Sequence, residues 1–162
     1  MITLERGLRH LGWADTRFYA GLAELPAEAF AVSYAPDAWS VGRLATHIVG
    51  GAEWYRHCLT GAMWTDLQPI ADGAQAAKQG AYLAELDALL LEQVALPDDV
   101  MTFQDEQGEA RALRSTLLTQ AIVHATEHRA QIACALAAHG FPGPSLDALD
   151  LWAFEAWERT SS

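Results

Sequence analysis

The sequence predicts an all-α four-helix bundle followed by a short C-terminal helix. Three observations carry that prediction. Large apolar residues recur at helical spacing in four long segments, and Pro, Gly and Ser mark the breaks between them. Half of the 162 residues are hydrophobic and only 19% are charged, which is a globular composition with enough chain for one buried core. A single domain spanning residues 1–162 is therefore expected.

Leu4, Leu8, Leu11, Phe18, Leu22 and Leu25 fall on one stripe, and the Leu25-Pro26 step ends that first helix. Asp15 is the one acidic interruption of its apolar pattern. Residues 26–39 read as a loop with a turn at Pro36-Asp37, after which Ser40 suits the N-cap of a second helix running to Thr60-Gly61. Leu44, Ile48, Ala52, Tyr55 and Leu59 form its inward face. A connection over 61–74, marked by Pro69, Asp72 and Gly73, leads into a third helix over about 75–95 that stops before Pro97. Leu83, Leu86, Leu90 and Val94 face inward there. Val100, Thr102 and Phe103 suit a short strand and Gln107-Gly108 a reversal, so a small hairpin is favoured over an irregular loop. Ser115 suits the cap of a fourth helix that ends at His139 before Gly140. Pro142-Gly143-Pro144 makes a rigid turn, and LDALDLWAFEAW a short amphipathic helix.

A formal charge of −11 argues against nucleic acid and anionic membranes as partners, since both are held by clustered Lys and Arg. The charged start MITLERGLRHLGW does not read as an export signal, and no stretch is apolar enough to span a bilayer. Cys58 and Cys134 match no paired zinc spacing, and reduced thiols in a cytoplasmic protein are expected.

The chemistry concentrates in TQAIVHATEHRAQIACALAAHG. His124 and His128 are four residues apart, so a helix stacks their imidazoles one turn apart on one face. Two such rings can share one metal ion. Ala121 and Ala135 on that face leave space for them inside a bundle. The Glu of a zinc-protease HExxH is missing, because Ala125 follows His124. His47 in the second helix is the best third ligand. Gly51, one turn later, costs about 1 kcal/mol of helix stability relative to Ala, which room for a neighbouring helix or ligand would offset. His10, His57 and His139 read as surface or boundary residues.

Four segments then resemble the DinB-like family, including its YfiT type: HLGWADTRFYAGLAELP, DAWSVGRLATHIVGGAEWY, HATEHRAQIACAL and DALDLWAF. The resemblance implies an up-down-down-up bundle, frequently dimeric. It also implies one divalent metal held by three histidines from two helices, matching His47, His124 and His128. Asp15 falls in the Trp-Ala-Asp segment of that pattern. An acidic residue in an apolar stripe needs a partner: either a ligating imidazole, oriented from behind, or a helix end or Arg. Arg129 and Gln131 read as structural.

Three histidines leave a metal position open, as catalytic sites do, so the expected function is a metal-dependent enzyme acting on a small molecule. Relatives imply either a hydrolase or a transferase using a low-molecular-weight thiol, and imidazole donors suit Zn or Ni as the metal. No protein nucleophile or base is assignable. Cys58 lies three turns past His47 on nearly the same face and Trp54 two, so both are candidates for the site's wall, and Cys58 or Asp15 for a fourth ligand. The alternative function is a non-enzymatic, stress-associated metal-binding dimer. A homodimer is expected, with Trp64, Trp152 and Trp157, three of the six tryptophans, as candidate contacts.

Overall fold

The free N–H groups of a helix's first turn need acceptors, and side chains supply them at the start of all four long helices. Thr3 caps α1 (Leu4–Ala23) by accepting from Arg6 N, and Ser40 caps α2 (Val41–Thr60) by accepting from Arg43 N. Asp72 caps α3 (Gly73–Glu92) by accepting from Gln75 N at 2.8 Å, which starts that helix two residues earlier than its apolar pattern suggests. The fourth cap differs from the expected one. α4 spans Arg114–Ala138, so Ser115 already lies inside it. Asp98, in the preceding loop, accepts from both Ser115 N and Ser115 Oγ at 2.8 Å. A carboxylate outcompetes a hydroxyl as the acceptor at a helix N-terminus, and these bonds hold Asp98 below the usual carboxylate range. Gly61 and Gly140, with φ of 74°, end α2 and α4 in the left-handed conformation that glycine adopts without strain.

The computed structural model describes residues 3–161, so the ends of the expected domain at 1, 2 and 162 lie outside the described residues. Strands β1 (Val100–Asp105) and β2 (Gly108–Leu113) form the small antiparallel hairpin before α4, paired from Val100↔Leu113 to Asp105↔Gly108. The final helix is α5 (Leu151–Ser161). A 3-10 turn over Ala27–Ala31 lies within the first loop and buries Ala29 and Phe30. A second, Gln93–Ala95, finishes the third helical segment.

Close contacts fix the directions of the bundle. Ideal Cβ atoms at Gly12, Gly80 and Gly73 would meet Asp87, Tyr19 and Ala23, so α1 and α3 run antiparallel. Gly51 of α2 meets His124 of α4 and His47 meets His128, so those helices are also antiparallel. Gly7 against Ile122 and Asp15 against Arg129 make α1 and α4 parallel. The order is therefore up-down-down-up. Phe18, Leu22, Val49, Leu86, Ile132 and Leu136 fill the shared core. Phe154 of α5 closes one end against Trp13, with ring centroids 5.4 Å apart. No helix among the described residues is long and apolar enough to cross a membrane.

The three histidines read as boundary residues each bond a backbone carbonyl. His10 Nε2 meets Leu149 O at 2.7 Å, His57 Nδ1 meets Ala62 O at 2.9 Å, and His139 Nε2 meets Ser33 O at 3.0 Å. Trp152 is 81% exposed and Trp64 51%, whereas Trp157 packs on Phe154 and Trp13.

One buried charge cluster ties α1, α3 and α4 together. Arg129 forms an ion pair with Asp15, and both are almost fully buried. Asp87 of α3 is also buried. Burial pushes its carboxyl well above the ordinary range, and the charge of Asp15 adds to the push. One guanidinium thus pairs with one carboxylate, Asp15, while the second carboxyl, Asp87, has no ion-pair partner of its own. Arg129→Met should cost about 3–5 kcal/mol in urea unfolding, because Asp15 loses its charge partner. Asp87→Asn, which keeps the shape of the side chain and removes a second carboxyl from beside Asp15, should cost under about 1 kcal/mol in the same measurement.

Candidate metal centre

Antiparallel packing of α2 on α4 brings His47 against the His124–His128 pair. One ligating nitrogen from each lies within 4.8 Å of the others, and among the described residues no other His, Cys, Asp or Glu joins the cluster. His47 Nε2 and His124 Nε2 are 3.1 Å apart. The ring centroids of His128 lie 4.8 Å from His47 and 4.5 Å from His124.

The donor set fits a divalent ion. Nitrogens bound tetrahedrally at 2.0–2.1 Å would lie about 3.3 Å from one another, close to the 3.1 Å between His47 and His124. Metal ligands must be neutral imidazoles. Burial, with His128 and His47 as further causes, pulls His124 down to about 4. Burial also lowers His47, helped by His128 and Arg43. His128 Nδ1 donates to Gln131 Oε1 at 2.8 Å, which leaves its Nε2 lone pair free.

Gly51 makes the cluster sterically attainable. A Cβ there would sit 2.4 Å from His124 Cε1 and 2.7 Å from its Nδ1. The room expected at this glycine is room for a ligand's imidazole.

Neither candidate fourth ligand joins the cluster. Asp15 accepts from Arg129, and no hydrogen bond joins it to any of the three imidazoles. A fully buried carboxylate is better balanced by a guanidinium than by a neutral ring. The group that orients an imidazole is Gln131, which reads as structural in the sequence because nothing local shows that it turns back toward His128. Cys58 shares the helical face of His47 but lies eleven residues on, a rise of about 16 Å. It is buried outside the cluster, and burial pushes its thiol up to about 11.

A cavity of about 450 Å³ opens beside His47. Its lining includes Trp39, Arg43, Glu53, Trp54 and Trp64. Trp54 thus lines the wall as its spacing suggests. Glu53 and Trp39 carried no sequence signal of a role here.

Fold and centre together define a four-helix bundle protein with a three-histidine cluster at the seam of two antiparallel helices. The chain belongs to the DinB family, whose model matches residues 1–159. Two solved structures share the fold. A DinB-like protein from Bacillus cereus is 20% identical, with a TM-score of 0.65 over 86% of this chain and 94% of that one. YfiT from Bacillus subtilis is 15% identical, with a TM-score of 0.64 over 88% of this chain and 92% of that one. YfiT is described as a probable metal-dependent hydrolase with an unusual four-helix bundle topology. A search of curated proteins found no match.

Gly51→Ala should weaken zinc binding by about 10–100-fold in competition with a chromogenic chelator, as displaced ligand geometry typically does. Cys58→Ser should leave that affinity unchanged. The pH dependence of the metal-free chain follows from His124. Its folded value of about 4 lies below the ordinary 6.5, so between the two the unfolded chain binds more protons. This contribution to stability is fully present above about pH 6.5 and is lost as the pH falls toward 4. Urea midpoints measured across that window in EDTA should decline with falling pH, and should decline less in His124→Gln.

Proposed function

We propose that this chain is a metal-dependent enzyme acting on a small molecule, either by hydrolysis or by transfer involving a low-molecular-weight thiol. His47, His124 and His128 would hold one divalent ion, zinc or nickel, since imidazole donors suit both. The observation that carries the reading is the count of ligands beside a cavity. Three imidazoles converge, no fourth metal-binding side chain joins them among the described residues, and His47 lines a space of about 450 Å³. Structural zinc sites are ordinarily closed by four protein ligands. A divalent ion bound this way lowers the pKa of water or of a thiol and polarises carbonyls.

The chain's own residues would position the substrate. Trp39 packs edge-on against His47, with ring centroids 4.8 Å apart, and walls that side of the cavity. Thr46 accepts from Ile70 N at 2.9 Å, which holds the connection between α2 and α3 over the cavity. A twofold homodimer belongs to the same reading, supported by the exposed Leu151 and Trp152. Light scattering at micromolar concentration should give twice the chain mass, and a monomer mass would remove that element.

Zinc-loaded or nickel-loaded protein should turn over at least one member of a panel of activated esters, amides and thiol acceptors. His128→Ala should lose both the metal and the turnover while keeping its helical circular dichroism. Tight one-to-one metal retention without turnover on any of the panel would favour the non-enzymatic, stress-associated binding protein. Failure to retain any divalent metal would overturn both.

A further inference from the structure

Glu53 is a charged group that the metal centre does not use. It lies on α2 and is 1% exposed, yet it lines the cavity that also contains His47. Three donors converge on one of its oxygens: Thr65 N at 3.1 Å, Thr65 Oγ1 at 2.7 Å and Tyr82 Oη at 2.6 Å. The nearest cation, Arg56, stands 3.9 Å from that same oxygen and donates instead to Met63 O at 2.6 Å. Every one of these contacts is made to Oε1. Oε2 accepts no hydrogen bond from the described residues.

Three donors on one oxygen hold the side chain in a single orientation and leave the other oxygen for the cavity. The surroundings decide what it would accept from. Trp54 and Trp64 wall the same cavity, with ring centroids 5.8 Å apart, and indole faces attract cations. Beyond these two rings a second cavity of about 650 Å³ is lined by Asp105 and Glu106 at the hairpin tip, which adds two carboxylates on that side. The cavity's cation, Arg43, sits at the far end and stacks on Trp39 at 4.4 Å. Ten residues of helix, about 15 Å of rise, separate it from Glu53. A hydroxyl at Glu53 would gain one hydrogen bond. An ammonium would gain a charge-assisted bond and the indole faces as well.

We propose that this cavity recognises a primary ammonium group on the substrate, bound at Glu53 Oε2 against Trp54 and Trp64. The inference deepens the enzyme reading by naming a feature of the substrate, and it rests on that reading for the cavity being the substrate's site. Glu53 is then a specificity-determining residue.

The test uses the full chain freed of metal with EDTA, so that an amine cannot bind through the metal. n-Butylammonium chloride and n-butanol are titrated while the indole N–H resonances are followed by NMR. Butylammonium should shift the Trp54 and Trp64 signals saturably, and butanol should bind at least about tenfold more weakly. Glu53→Gln should lower butylammonium affinity by at least about tenfold. Trp64 is half exposed, so Trp64→Leu will fold if Glu53→Gln does not, and it should weaken binding several-fold. The proposal is overturned if butylammonium moves neither indole signal. It is equally overturned if Glu53→Gln binds the amine as tightly as the wild type, or if Trp64→Leu does so where Glu53→Gln is unfolded. Amine binding without metal retention would defeat the enzyme reading alone; metal retention without amine binding would defeat this one alone.

Discussion

At Gly51 the α2 backbone has no side chain, and the imidazole of His124 occupies that space, 2.4 Å from where a Cβ would be. Everything at the centre depends on this approach. With α2 that close, Nε2 of His47 reaches to 3.1 Å from Nε2 of His124, and His128 follows one turn along α4. A Cβ at this position would displace the His124 ring from the place that brings its Nε2 to His47. The helix-propensity cost of the glycine is thus offset by the room it leaves for the His124 ring.

Holding α4 in register is the task of a different set of groups. Arg129 follows His128 directly and is tied to Asp15 of α1. The charge pair faces the bundle interior while the histidines face α2, so the two neighbouring positions anchor α4 to opposite partners. Gln131 adds a local restraint on the His128 ring. Burial then keeps His47 and His124 neutral, which is the state that can donate a lone pair. On the open side the aromatic walls and Glu53 define a space with chemistry of its own.

Much of this was legible in the sequence because it is periodic. The apolar stripes of Leu4–Leu25 and Leu44–Leu59 mark amphipathic helices, and His124 with His128 repeats at one helical turn. Ser40 and Gly140 mark helix ends by local chemistry. What was hidden depends on residues distant in the chain. Asp98 takes the cap assigned to Ser115 because a loop folds back over the start of α4. Asp15 finds its partner 114 residues away, and no local pattern says whether that partner is an imidazole or a guanidinium. Glu53 is another such case. Its donors lie on a connection and on α3, so the sequence shows only a glutamate in a helix.

Under the proposed function, His47, His124 and His128 hold one divalent ion with a position left for a non-protein ligand. Diffraction from zinc-loaded crystals on both sides of the zinc absorption edge tests it most directly, because the anomalous signal locates the ion independently of the protein atoms. One anomalous peak per chain is expected, about 2.0–2.1 Å from a nitrogen of each of the three imidazoles, with a remaining position facing the cavity lined by Glu53 and Trp54. A peak bound elsewhere, or a fourth protein side chain completing the coordination, would contradict it.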